Sequence, residues 1–238
     1  VLVAVIFAGV GLALIAFDRR LPARARLTRP GTGSPLRRVA TEFGAVLAQP
    51  WARVILLLVF LEGAAFFGPF AFLAAHVHAV FGLSLSSSGA VVMMFGLGGV
   101  LFAAASRRLV TRLGEIGLAR WGGTLMAGAL LAVAYGPAWG WALAGCFLAG
   151  LGFYMMHNTL QVHATQMVPQ RRGAAVSAFA ACFFLGQSAG VSLGGVLVGR
   201  IGTPLFIAVG ALGVLGAGLG FAALLRRHVF APPRAQAK

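Results

Sequence analysis

Residues 54–75 carry a single charged side chain, Glu62, in an otherwise apolar run. A run of that length matches the ~20 residues a helix needs to cross a ~30 Å hydrocarbon core. Further runs of comparable length follow it. In lipid, backbone polar groups must be satisfied within the segment, so each such run is constrained to be a helix. Composition agrees: 60% of the residues are hydrophobic and 10% are charged, where a soluble domain carries roughly 25% charged residues. The expectation is an all-α membrane protein.

Seven transmembrane helices are expected, at about residues 1–17, 54–75, 89–106, 119–137, 141–164, 173–198 and 204–225. The net charge of +15 could suggest nucleic acid, but the basic residues sit between apolar runs and line no solvated face. No nucleic-acid partner is expected. Every basic residue except Arg200 falls on one side of this topology, which the positive-inside rule makes cytoplasmic. The C-terminus is then expected to be cytoplasmic. The basic loops also attract anionic membrane lipid.

Charge follows the first apolar run, the reverse of a signal peptide's order, and the chain starts at Val1. It reads as a fragment. Residues 1–17 are expected to end a missing N-terminal half, 18–50 to be a basic cytoplasmic linker, 51–226 to be a six-helix domain and 227–238 a cytoplasmic tail. Cys146 and Cys182 lie inside expected spans, which argues for small buried residues over a disulfide framework.

Two sequence echoes suggest an internal repeat. FLEGAAFF from Phe60 resembles FLAGLGFY from Phe147, and in that register His76 meets His163. LGGVL occurs from Leu97 and again from Leu193. The order is preserved, so a three-helix unit would be used twice. Three is odd, and the second copy must enter from the opposite side, giving an inverted 3+3 repeat of the kind many secondary transporters use.

The polar residues fall on two stripes. Glu62, Phe66, Pro69, Leu73 and His76 share a face of the second span; Tyr154, His157, Asn158, Gln161 and Thr165 share a face of the fifth. Both are expected to face a central cavity. Glu62 stands about 13 Å along the helix from Arg53, near mid-membrane. An ionised carboxylate alone in hydrocarbon is costly, and protonation is the usual escape. Glu62 therefore reads as a carrier of protons, as a partner for a cationic substrate, or as a tie between two helices. His157 is a second titratable candidate, with helix packing as the alternative. Gly186, Gly190 and Gly194 form a ridge for close helix contact. Gly68 and Pro69 can kink the second span. The fourth and seventh spans carry almost no polar residues and read as outer supports.

These features resemble the C-terminal half of a major facilitator superfamily transporter. HNTLQVHATQMVPQRRGAAVSAF from His157 looks like the region joining the tenth and eleventh helices of bacterial drug and sugar efflux members. GQSAGVSLGG from Gly186 is similar to their eleventh helix. LVTRLGEIGLAR from Leu109 resembles the family's cytoplasmic loop: Arg112 and Gly114 match, while Thr111 replaces an aspartate, Arg107 a glycine and Glu115 a basic residue. The resemblance implies a proton-coupled exporter, an antiporter of a small drug- or sugar-like molecule working by alternating access, with Glu62, Tyr154, His157, Asn158 and Gln161 on the pathway. Its partners would be the substrate, protons and the missing N-terminal half, and its location the bacterial inner membrane.

A seven-span receptor or sensor, or a non-transporting half-transporter scaffold, would share the topology. An enzyme is not expected, since no paired acids, metal spacing or serine–histidine arrangement stands out. Neither cofactor nor metal is expected: His157 and His163 fall on different helix faces.

Overall fold

A computed structural model describes residues 9–13, 16–17 and 34–230. The chain divides into two compact units, residues 1–39 and 40–238. In the first, 9–13 and 16–17 are helical; the rest of the expected first span, linker residues 18–33 and the tail beyond 230 lie outside the described residues. The described part of the second unit, residues 40–230, is helical apart from short turns, and strands are absent among the described residues.

The later part of the expected linker is helical. A helix, α1 (Pro35–Ala48), ends it. Within the second unit α1 docks by Val46, which is fully buried, and by Glu42, whose Oε1 accepts from Arg171 Nη1 at 2.5 Å.

Among the described residues, five helices are long and apolar enough to cross a membrane. α2 occupies Pro50–Phe81. It starts with proline in the first turn, where the missing N–H costs nothing. It closes on Gly82, whose φ of 65° suits glycine alone and whose N–H donates to the His78 carbonyl at 3.0 Å. Between these ends it is irregular. A π-turn spans Gly63–Phe67, a short helical turn covers Gly68–Phe70, and regular helix resumes at Leu73. Pro69 supplies no N–H to the Ala65 carbonyl, which helps explain why the ladder is broken there.

The longest helix, Leu85–Tyr135, is interrupted at Gly114 (φ 61°, ψ 179°). It is treated as α3 (residues 85–113) and α4 (residues 115–135). Ser84 caps α3, accepting from the Ser87 N–H at 3.1 Å. Gly98 and Gly122 both pack against residues 147–156 of the following helix. In a continuous helix they would stand about 36 Å apart, so the chain must turn back at Gly114. α5 (Trp139–Gln166), a 3-10 turn (Pro169–Arg171), α6 (Arg172–Ile201) and α7 (Thr203–Phe230) complete the unit.

Glycines set the helix seams. A Cβ on Gly98 of α3 would strike the Phe147 carbonyl of α5, and a Cβ on Gly150 of α5 would strike the Phe95 carbonyl of α3. The same arrangement joins α2 and α6: Gly186 faces the Phe60 carbonyl and Gly63 the Phe183 carbonyl. α4 and α7 meet through Gly123 and Gly218, each occupying the space a Cβ on the other would need. Removing side chains lets backbones approach closely, the usual solution where lipid offers no hydrophobic drive to associate.

Gly98 and Gly186 thus make like contacts, one with the Phe147 carbonyl and the other with the Phe60 carbonyl. The LGGVL comparison sets Gly98 against Gly194 instead, roughly two helical turns further along. Gly194 instead packs against the rings of Phe72 and Phe206.

Candidate functional site

Glu62 is the last residue of regular helix before the π-turn of α2. Its side chain is fully buried. Its partner comes from α5: His157 Nδ1 donates to Glu62 Oε2 at 2.7 Å. The other carboxylate oxygen, Oε1, is buried with no hydrogen-bond partner. A charge-assisted bond of this length in a low-dielectric setting is among the stronger side-chain contacts. The unpartnered oxygen leaves the carboxylate half satisfied.

The His157 ring is held by aromatic faces. It stacks on Phe153, one turn earlier in α5, with centroids 4.7 Å apart and planes 23° apart. Phe183 and Phe179 of α6 lie at 4.9 and 5.3 Å. Phe153 in turn touches Phe66, Phe67 and Phe95, joining α2, α3 and α5 in one ring cluster. Each well-oriented aromatic pair adds about 0.5–1.5 kcal/mol beyond area burial.

The α5 stripe is accessible. Tyr154, Asn158 and Gln161 are exposed, and His157 and Thr165 are partly so. The His157 side chain is 18% exposed, so it spans the distance between open surface and buried carboxylate. The α2 stripe behaves differently from the α5 stripe. Glu62, Phe66, Pro69, Leu73 and His76 are all buried. They pack inward because α2 is pressed against α6 along the Gly63–Gly186 and Gly68–Gly190 seams. His76 Nε2 donates to the Val133 carbonyl at 3.1 Å. Of the two stripes, only Glu62 and His157 come into hydrogen-bond contact.

Gly186 and Gly190 of the α6 ridge sit against the backbones of Phe60 and Ala64. In the loop that matched a family motif, Gly114 makes the chain reversal and Arg112 is exposed. Thr111, standing in an aspartate's place, donates to the Arg107 carbonyl of its own helix at 2.9 Å. Glu115, standing in a basic residue's place, accepts from His163 Nε2 at 3.1 Å. Trp51 lies edge-on to His163 and stacks flat on His228 at 4.1 Å. Sequence reasoning named neither these pairings nor the phenylalanines around His157. Phe153 lies four residues before His157, a helical spacing that could have flagged it.

The family model of the Major Facilitator Superfamily matches residues 1–191. The chain belongs to this superfamily. A relative from Bacillus subtilis (strain 168), "Uncharacterized MFS-type transporter YceJ", is 30% identical over 175 residues, 72% of this chain. The chain aligns with 42% of that relative's length. No solved structure matches significantly. Family and apolar helices together define a multi-pass helical membrane protein.

Proposed function

We propose that the chain is the C-terminal part of a secondary active transporter that exports a small organic molecule in exchange for protons. The observation that carries this reading is the fully buried Glu62 carboxylate paired to His157, in the middle of an apolar helix. An ionisable pair at that depth is costly unless it serves transport or is fully satisfied, and Glu62 Oε1 is not satisfied. Protons reach Glu62 through His157, whose ring touches both the carboxylate and the accessible α5 face.

The architecture proposed is seven spans, the last six an inverted 3+3 repeat. The reciprocal glycine–carbonyl contacts support it: α2 meets α6 as α5 meets α3, and α4 meets α7 as its own counterpart. The arginine pattern supports a cytoplasmic C-terminus, and the Bacillus subtilis relative supports a bacterial inner membrane. Alternating access then rocks this six-helix unit against a missing N-terminal half, with Tyr154, Asn158 and Gln161 facing the cargo between them. Superfamily membership and the relative's name support transport over a receptor or an inert scaffold.

The test uses the full-length protein in a host stripped of its own exporters. Wild type raises resistance to at least one compound in a broad panel, and Glu62→Gln removes that resistance at unchanged protein level. Full resistance with Glu62→Gln contradicts the reading.

A further inference from the structure

We infer that the groove bounded by α2, α6 and α7 holds one acyl chain of an anionic glycerophospholipid whose phosphate is bound by Arg200. The inference is independent of the export reading: neither Glu62 nor His157 lines the groove.

The groove has a volume of about 240 Å³. α2 contributes Leu61 and Ala64, α6 Leu193 and Leu197, and α7 Val209 and Gly213; every residue lining it is apolar or glycine. Its floor is α2, drawn close by Gly190 of α6 and Gly210 of α7, which sit against the Ala64 and Ala65 carbonyls. Its rims, Leu61, Leu193 and Val209, are exposed. All three helices are long and apolar enough to span a membrane, so this face meets hydrocarbon. An empty groove forfeits the dispersion contacts of its walls, and an acyl chain restores them. Lipid offers no hydrophobic drive to bind there, so selection of one lipid must come from its headgroup.

Arg200 supplies that selection. Leu193, Leu197 and Arg200 follow one another at helical spacing on one face of α6. Arg200 lies in the last turn of the helix and is exposed. It has no ion-pair or hydrogen-bond partner among the described residues. From Gly190, on the groove, to Arg200 is about 15 Å of helix. That is half of a ~30 Å hydrocarbon core, the reach of a chain from one leaflet. A guanidinium at this height meets the phosphate level, and its fork of N–H donors fits phosphate oxygens. The described acids are Glu42, Glu62 and Glu115. Glu62 is buried, and the other two accept from Arg171 and His163. No carboxylate is left beside Arg200 for an ammonium headgroup, so a lipid with net negative charge is preferred to a zwitterionic one. Arg200 is also the one basic residue outside the cytoplasmic set that the arginine pattern defines. Topology alone gives it no role.

The experiment takes purified, delipidated full-length protein in detergent and measures lipid binding by native mass spectrometry and by thermal shift. The probes are phosphatidylglycerol and phosphatidylethanolamine with identical chains. The expected result is preferential binding of phosphatidylglycerol and a higher melting temperature when it binds, as any ligand of the native state gives. Arg200→Gln lowers phosphatidylglycerol affinity roughly tenfold, as for one lost charged contact, and removes the preference. Val209→Phe fills the groove from its exposed rim and weakens both lipids. Leu193→Phe, on the opposite rim, repeats that test should Val209→Phe fail to fold. Arg108→Gln, which removes an exposed charge elsewhere, leaves binding at the wild-type level. Binding of neither lipid, equal affinity for the two, or phosphatidylglycerol binding untouched by Arg200→Gln or by filling the groove overturns the inference. A thermal shift from inorganic phosphate as large as that from the lipid also overturns it, since an anion site would then exist without a chain.

Discussion

Glu62 of α2 and His157 of α5 are 95 positions apart in sequence and 2.7 Å apart in the structure. The bond pins the irregular part of α2 to the middle of α5. It also gives a carboxylate with no exposure a neighbour that solvent can reach.

That coupling is measurable as stability. Glu62→Gln removes charge from the pair, whereas His157→Phe leaves a buried carboxylate without its donor. Losing one partner of a buried pair costs about 3–5 kcal/mol when the survivor stays charged. His157→Phe is therefore expected to lower the melting temperature of the full-length protein more than Glu62→Gln does. The double variant should be less destabilised than the sum of the two, by about 0.5–3 kcal/mol. Additive effects in thermal unfolding would mean the pair is not coupled.

The glycine seams give a second expectation. Gly186→Leu forces a side chain into the Phe60 backbone, while Gly216 has open space where its Cβ would be. Overpacking of this kind costs about 1–3 kcal/mol, and more where backbone must move. Gly186→Leu should reduce the yield of folded protein in detergent by size-exclusion profile, and Gly216→Leu should leave it near wild type. Equal profiles would place the α2–α6 seam elsewhere.

The Glu115–His163 pair is expected to matter little. The Glu115 side chain is 48% exposed, and exposed ion pairs contribute about 0–1 kcal/mol. Glu115→Gln should shift the melting temperature only slightly. A large loss would show that the pair and the neighbouring Trp51 stack act together as one clamp.

Accessibility separates the two faces of α5. With Cys146 and Cys182 replaced by alanine, a cysteine at Asn158 should react with a membrane-permeant maleimide. One at Ala149, which is 1% exposed, should not. Reaction at both, or at neither, contradicts the exposed α5 face described above.

Much of the helical framework is readable in the sequence, because apolar runs near bilayer length are unambiguous and the arginines mark their ends. Gly114 is also readable, since a loop motif that needs a positive φ calls for glycine. The α5 stripe is legible because polar side chains at helical spacing stand out against an apolar background. The partner of Glu62 is not legible: it depends on the register in which α2 and α5 pack, and that register is set by glycines scattered through Ala-, Leu- and Phe-rich text. In the same background, small-residue words such as LGGVL recur easily, and the like contacts of Gly98 and Gly186 fall about two turns from that match. α1 escaped notice because one short amphipathic helix lies within a Pro-, Gly- and Arg-rich segment. Its docking residues, Glu42 and Val46, gain meaning only beside Arg171 and the helix ends.

The central claim is that Glu62 couples cargo movement to protons. The most direct measurement is export in proteoliposomes of the full-length protein, using a compound identified by the resistance panel, with and without an imposed pH gradient. The account predicts that the gradient accelerates transport by wild type and that Glu62→Gln, correctly folded, shows no gradient-driven transport. Gradient-driven transport at the wild-type rate in Glu62→Gln would contradict it.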